Sequence, residues 1–278
     1  MPAPDAITND KLLKLIGTPR CPVILDNRRD PIRAEDPRLL PGARALSDAE
    51  MEPAALDALI ANLTGPVIVV CAEGHGRSQG LAALLRSRGI AAEYLDQGHN
   101  GWRDAGLPLI NADRITGRDR QGRSLWITRS RPKIDRIACP WLIRRFVDPR
   151  AVFLYVAPTE VVNVADLLGG MPFDIEGVFW SHRDETCTFD TMLAEFGLST
   201  PALDRLATIV RGADTARPEL APEVPGLLAA SLGLSRMYAD DLDQLEAGMG
   251  LYDAFYRWCR DATEETHNWP TNKPGAPT

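Results

Sequence analysis

The stretch PVIVVC at residues 66–71 is apolar at every position, and it runs straight into a glycine-rich turn and a helical pattern at 78–89. A strand without polar alternation needs cover on both faces, as a parallel strand between helix layers has. The neighbouring segments agree. ITNDKLLKLIG (7–17), SDAEMEPAALDALIANL (47–63) and SQGLAALLRSRG (78–89) space their apolar residues as helices do, and PVILD (22–26) and AAEYLD (91–96) are short apolar strands. Strands that alternate with helices predict an α/β domain with a parallel sheet over 1–112. NADRITGRDRQGR, in 111–123, is polar and glycine-containing, and 113–123 is expected to be a linker.

Beyond it, SLWITR (124–129) and AVFLYVA (151–157) read as strands. IDRIACPWLIRRFVD (134–148) and TEVVNVADLLGG (159–170) read as helices, with Pro140 starting or kinking the first of these. From 189 the pattern is mainly helical, so 124–263 is expected to be an α+β, mostly helical domain, and 264–278 a disordered tail.

The chain of 278 residues carries a net charge of −7, which disfavours nucleic acid as a partner. The charge is uneven: residues 111–150 hold 11 Lys/Arg against 4 Asp/Glu, and 151–278 hold 8 against 20. The basic cluster Arg131, Lys133, Arg136, Arg144 and Arg145 suits either an oxyanion or the acidic body of its own domain. Five widely spaced cysteines without a CxxC are no disulfide framework. No apolar run approaches the ~18–20 residues of a membrane span, and the first residues lack a secretory pattern. A cytoplasmic protein with no membrane partner is the expectation.

The corner at Cys71 carries the chemistry. A loop that follows a parallel strand and feeds a helix turns successive N–H groups into one concavity, and Gly74 and Gly76 permit the dihedrals. Ala72, Glu73, Gly74, His75 and Gly76 are the expected anion-binding loop. The helix dipole adds to the cradle and should lower the pKa of the Cys71 thiol at its base. Arg77 could clamp two oxygens of an anion, and Ser78 could donate to the thiolate. These residue types suit nucleophilic cysteine chemistry on a small anion, with Cys71, Arg77 and Ser78 as the catalytic set.

Residues 20–110 resemble a rhodanese domain. LDNR (25–28), LLPGAR (39–44) and YLDQGHNGWRDAGLPL (94–109) match its opening strand, its central motif and its closing pattern. The resemblance implies sulfur transfer through a Cys71 persulfide, with a small anionic sulfur donor, a thiol acceptor and no required cofactor. Arg77 lies six positions after Cys71, one more than in common single-domain rhodaneses. The wider loop also resembles phosphatases and rhodanese-fold arsenate reductases. Chromate or arsenate reduction, or phosphoester hydrolysis, is therefore the second expectation. Reduction would need a resolving thiol, for which Cys21 is the candidate within the domain.

The second half resembles the chromate-resistance protein B family over about 125–262. The resemblance rests on RPKIDRIACPWLIRRFVDPRAVFLYV (131–156), SHRDETCTFD (181–190), IVRGADT (209–215) and GLLAASLGLSRMYADD (226–241). It implies a role in chromate resistance, and a non-catalytic chromate or metal sensor is a third expectation. From the residues themselves, His182, Glu185, Cys187, Asp190 and Asp214 are candidate ligands for zinc or another first-row cation, and Asp135 and Cys139 could join them.

Overall fold

The computed structural model describes residues 5–265. Most of the expected tail, 266–278, lies outside the described residues. Five strands form the first sheet: β1 (Ala6–Ile7), β2 (Val23–Asp26), β3 (Ala43–Ala45), β4 (Val67–Val70) and β5 (Ala92–Leu95). Their order is β1-β5-β4-β2-β3, and every pair is parallel. The central β4 is buried at all four positions, as its unbroken apolar run requires. Helices α1 (Asn9–Leu15), α2 (Asp30–Glu35), α3 (Pro53–Ala61), α4 (Gly76–Ser87) and α5 (Gly98–Asp104) connect the strands. The helical expectation over 47–63 becomes a 3₁₀ turn at Ala49–Met51 followed by α3, because Pro53 begins a new helix at its first position.

The second half has a three-stranded parallel sheet, β7-β6-β8, from β6 (Leu125–Arg129), β7 (Val152–Val156) and β8 (Met171–Pro172). Six helices surround it: α6 (Ile134–Leu142), α7 (Val161–Leu168), α8 (Thr188–Phe196), α9 (Pro201–Asp214), α10 (Val224–Met237) and α11 (Asp241–Asp261). Pro140 neither starts nor ends α6 but sits inside it, and the chain continues as a π-helical stretch at Ile143–Val147. A proline there leaves the Arg136 carbonyl without its helical N–H donor. The Tyr155 hydroxyl of β7 supplies the missing bond at 2.9 Å, which explains how a buried helix tolerates the proline.

One hydrophobic cluster crosses from Ile7, Leu12 and Ile24 of the first half to Trp141, Phe146 and Tyr256 of the second. The two halves pack tightly at Gly17, whose φ is +75°; a Cβ there would collide with the Phe146 ring and lie 2.9 Å from Tyr256. The Gly42 N–H donates to the Phe146 carbonyl at 2.6 Å. Residues 113–123 carry a turn in which Asp119 accepts from the N–H groups of Gln121 and Arg123, and Ile115 is buried. Among the described residues no helix is long and apolar enough to cross a membrane.

Candidate functional site

Cys71 follows β4 at the carboxyl edge of the first sheet, the edge where open α/β sheets place their ligands. It is 6% exposed, and its Sγ lies 3.0 Å from the Ser78 Oγ in the first turn of α4. Ser78 also lies 3.1 Å from the His75 carbonyl. With a neutral thiol, S–H can donate to Ser78 while the hydroxyl donates to His75. Once the thiol ionises, the hydroxyl can turn and donate to sulfur. Among the described residues, the N–H groups of 72–77 donate to no protein acceptor.

The loop is held from behind by α5. The N–H groups of His99 and Asn100 donate to the carbonyls of Cys71 and Ala72 at 2.8 and 2.9 Å. His99 is buried; desolvation, then the Arg28 charge, pushes its imidazole below the ordinary histidine range. Its ring nitrogen meets the Arg38 carbonyl at 3.1 Å. The close approach depends on Gly98, at φ +58°, where a Cβ would collide with the Cys71 carbonyl and sit 2.6 Å from the Gly74 nitrogen. We expect Gly98→Ala to cost about 2–4 kcal/mol, from the left-handed backbone and the clash together. Urea unfolding checks this, and a loss under about 0.5 kcal/mol would mean the loop does not rest on α5.

One expected loop role changes. Arg77 does not open its fork over the loop: its Nε donates to the Asn27 carbonyl at 2.6 Å, and its Nη2 pairs with Asp48 at 2.6 Å. The guanidinium therefore fastens the start of α4 to the loops after β2 and β3. Arg77→Lys should cost no more than about 1 kcal/mol, as partly exposed ion pairs do, and leave sulfate affinity within about threefold. A loss of about tenfold or more on titration would put the guanidinium on the anion. His75 is 77% exposed and faces Glu73 at 3.3 Å.

In the second half, His182 stands in the loop between β8 and α8, with its Nε2 3.1 Å from Asp214, 3.4 Å from Asp174 and 3.6 Å from Asp135. Asp135 comes from the first turn of α6 and Asp214 from the last residue of α9. Asp174 follows β8 at φ +56°, a left-handed position held by its N–H bond to the Trp180 carbonyl. Hydrogen bonds to Asp174 and Asp214 push the imidazole up to about 10. Burial, then the charges of Asp214 and Asp174, pushes the Asp135 carboxyl well above the usual carboxylate range. Against its own burial, hydrogen bonds from His182 and Thr188, then the charges of Arg136 and Arg129, hold Asp174 below it.

Of the expected ligands, His182, Asp214 and Asp135 come together, and Asp174 joins them unannounced. The other four do not. Glu185 is 86% exposed on Arg217 at 3.1 Å, because the tight turn closed by the Arg183–Thr186 bridge aims it outward. Asp190 accepts from the Cys187 N–H at 3.0 Å and pairs with Arg211, which makes it a helix-start residue. Burial, then the Asp135 charge, pushes both Cys139 and Cys187 well above the ordinary cysteine range, which keeps them as core thiols. The basic cluster meets its own domain. Arg144 pairs with Glu246, Arg145 grips Asp253 with two bonds of 2.7 Å, and the Arg131 N–H meets Asp241.

The chain is similar to several known proteins. Residues 126–259 match the family described as ChrB, C-terminal domain. Protein ChrB of Cupriavidus metallidurans is 32% identical over 199 residues, covering 66% of this chain and 59% of that protein. The chain thus spans about 59% of the length of that curated relative. Among solved structures, a rhodanese-like domain protein from Staphylococcus aureus is 28% identical, covering 37% of this chain and 96% of its own at a TM-score of 0.31. A Staphylococcus saprophyticus protein, SSP1007, is 26% identical, covering 37% and 98%, also at 0.31.

Proposed function

We propose that the chain serves chromate resistance as a ChrB-like protein whose first half is a sulfurtransferase working through Cys71, a reading supported by the match of residues 126–259 to the ChrB C-terminal domain. The observation that carries the transferase reading is the Cys71–Ser78 contact of 3.0 Å at the base of a loop whose N–H groups are uncommitted. The Cys71 thiolate attacks the outer sulfur of a donor such as thiosulfate. A new S–S bond forms, the donor's S–S bond breaks, and sulfite leaves with the electron pair. The N–H groups of 72–77 hold the anion as it arrives and departs. A thiol acceptor, as thiolate, then attacks the outer sulfur and regenerates the Cys71 thiolate.

The rival chemistries on this loop fare worse. Reduction through a Cys71–Cys21 disulfide needs Cα atoms within about 7 Å. Cys21 precedes β2 and Cys71 follows β4, and the parallel register Val23↔Val67 to Asp26↔Val70 puts them at opposite edges of the sheet. At ~3.3 Å per residue the two are separated by about 20 Å along the strands. Burial also pushes the Cys21 thiol up to about 11. Phosphoester hydrolysis would lean on an arginine clamp, and Arg77 is held by Asn27 and Asp48.

The test is the intact mass of the protein after incubation with thiosulfate, alongside assays of phosphate-ester and chromate turnover. One added sulfur atom per chain is the expected result. An unchanged mass with thiosulfate and with a persulfide donor, together with turnover of either rival substrate, would sink the reading.

A further inference from the structure

We propose that Asp135, His182 and Asp214 form a binding site for a divalent first-row cation in the second half of the chain. One ligand atom from each of the three residues lies within 4.8 Å of the others. The nitrogen-to-oxygen distances of 3.1 and 3.6 Å match the spacing of donors about one ion, since bonds of ~2.0–2.2 Å place neighbouring ligand atoms roughly 3.0–3.5 Å apart.

A second observation points to a missing ligand. The Asp135 side chain has no solvent exposure, and its Oδ1 has no hydrogen-bond partner. Its Oδ2, the oxygen 3.6 Å from His182, accepts from the N–H groups of Thr188 and Phe189 at 2.6 and 3.3 Å, which fixes the carboxylate against the start of α8 and leaves Oδ1 as the unmatched atom. An unmatched carboxylate oxygen at full burial is costly, and a cation would remove that cost.

The charges divide in the same way. Asp174 is answered by Arg129 and Arg136, each at 3.2 Å from its Oδ2, and its Oδ1 accepts from the Thr188 hydroxyl while facing His182. It faces the same Nε2 that a cation would take, and its own charge is already met by the two arginines. Asp135 and Asp214 face one imidazole between them, and a divalent ion beside a neutral His182 balances their two charges. One nitrogen and two carboxylates favour zinc, manganese or ferrous iron over a thiolate-loving ion such as Cu(I). His182 is 40% exposed, so the site is open on one side to an entering ion and to a water or small anion on the metal.

The experiment uses the full chain, stripped with a chelator and titrated separately with Zn²⁺ and Mn²⁺. Bound metal per chain and the melting temperature are the two readouts. Wild type should take up one ion and melt higher. His182→Ala and Asp214→Asn should each weaken binding by about 100-fold or more and lose the thermal shift, while their circular dichroism stays that of wild type. Glu185→Ala, outside the site, should bind as wild type does. Equal uptake by wild type, His182→Ala and Asp214→Asn overturns the proposal, and so does a wild type that binds neither cation. Neither result bears on sulfur uptake at Cys71, so the two proposals fail separately.

Discussion

Cys71→Ser is expected to abolish sulfur uptake, with the rate of persulfide formation falling by at least ~10³-fold, while stability changes little. Loss of a nucleophile removes the covalent path entirely, and a serine hydroxyl at this position has no base poised to ionise it. Ser78 is in contact with the sulfur but is itself hydrogen-bonded to the His75 carbonyl, which accepts and cannot take a proton. Ser78→Ala should act on the same step more weakly. A charge-assisted hydrogen bond to a thiolate is worth about 1.5–3 kcal/mol, which corresponds to roughly 10–100-fold in rate. Mass spectrometry of the intact chain after timed exposure to thiosulfate reads both effects. Retained uptake in Cys71→Ser would move the sulfur to another of the five cysteines and remove the first half's chemistry from this loop.

How far the sequence leads depends on whether a feature is local. The β4–loop–α4 unit is readable because it is contiguous: an apolar run, two glycines and a helix start follow one another directly. β1, β3 and β8 are two or three residues long and have no period to detect. Helix α2 buries no residue, so no apolar stripe marks it. The Arg77 role escapes the sequence for a related reason. The residue type fits an anion clamp, but its partners Asn27 and Asp48 are 50 and 29 positions away and only the fold brings them near. At the second centre, closeness in sequence misleads. Glu185, Cys187 and Asp190 sit beside His182 along the chain, yet a turn and a helix start send each elsewhere. The groups that do face His182 come from α6, from the end of β8 and from the end of α9. Asp174 has no signal of its own in MPFD; its value lies in the two arginines and the histidine that converge on it.

Trp141→Ala should lower stability by about 3–5 kcal/mol, more than either Gly98→Ala or Arg77→Lys, because emptying a buried aromatic site leaves a void that the surroundings only partly fill. The indole has no solvent exposure, and its N–H donates to Asp253 at 2.8 Å. Its ring centroid lies 5.5–6.4 Å from those of Phe146, Phe189, Tyr252 and Tyr256, within the range of favourable aromatic pairing. Removing it also strips a donor from Asp253, whose remaining partner is the Arg145 fork. The effect should not stay in the second half. Phe146 and Tyr256 also press on Gly17 of the first half, so loosening this aromatic cluster loosens the seat of the parallel sheet. Urea unfolding followed by circular dichroism should therefore show one transition, shifted to lower urea in the variant. The reactivity of Cys71 toward a thiol reagent should rise at that same midpoint, because its loop loses protection when the shared core opens. A Cys71 midpoint that stays at the wild-type value while the dichroism midpoint falls would mean that the two halves unfold separately and that the continuous cluster contributes little coupling between them.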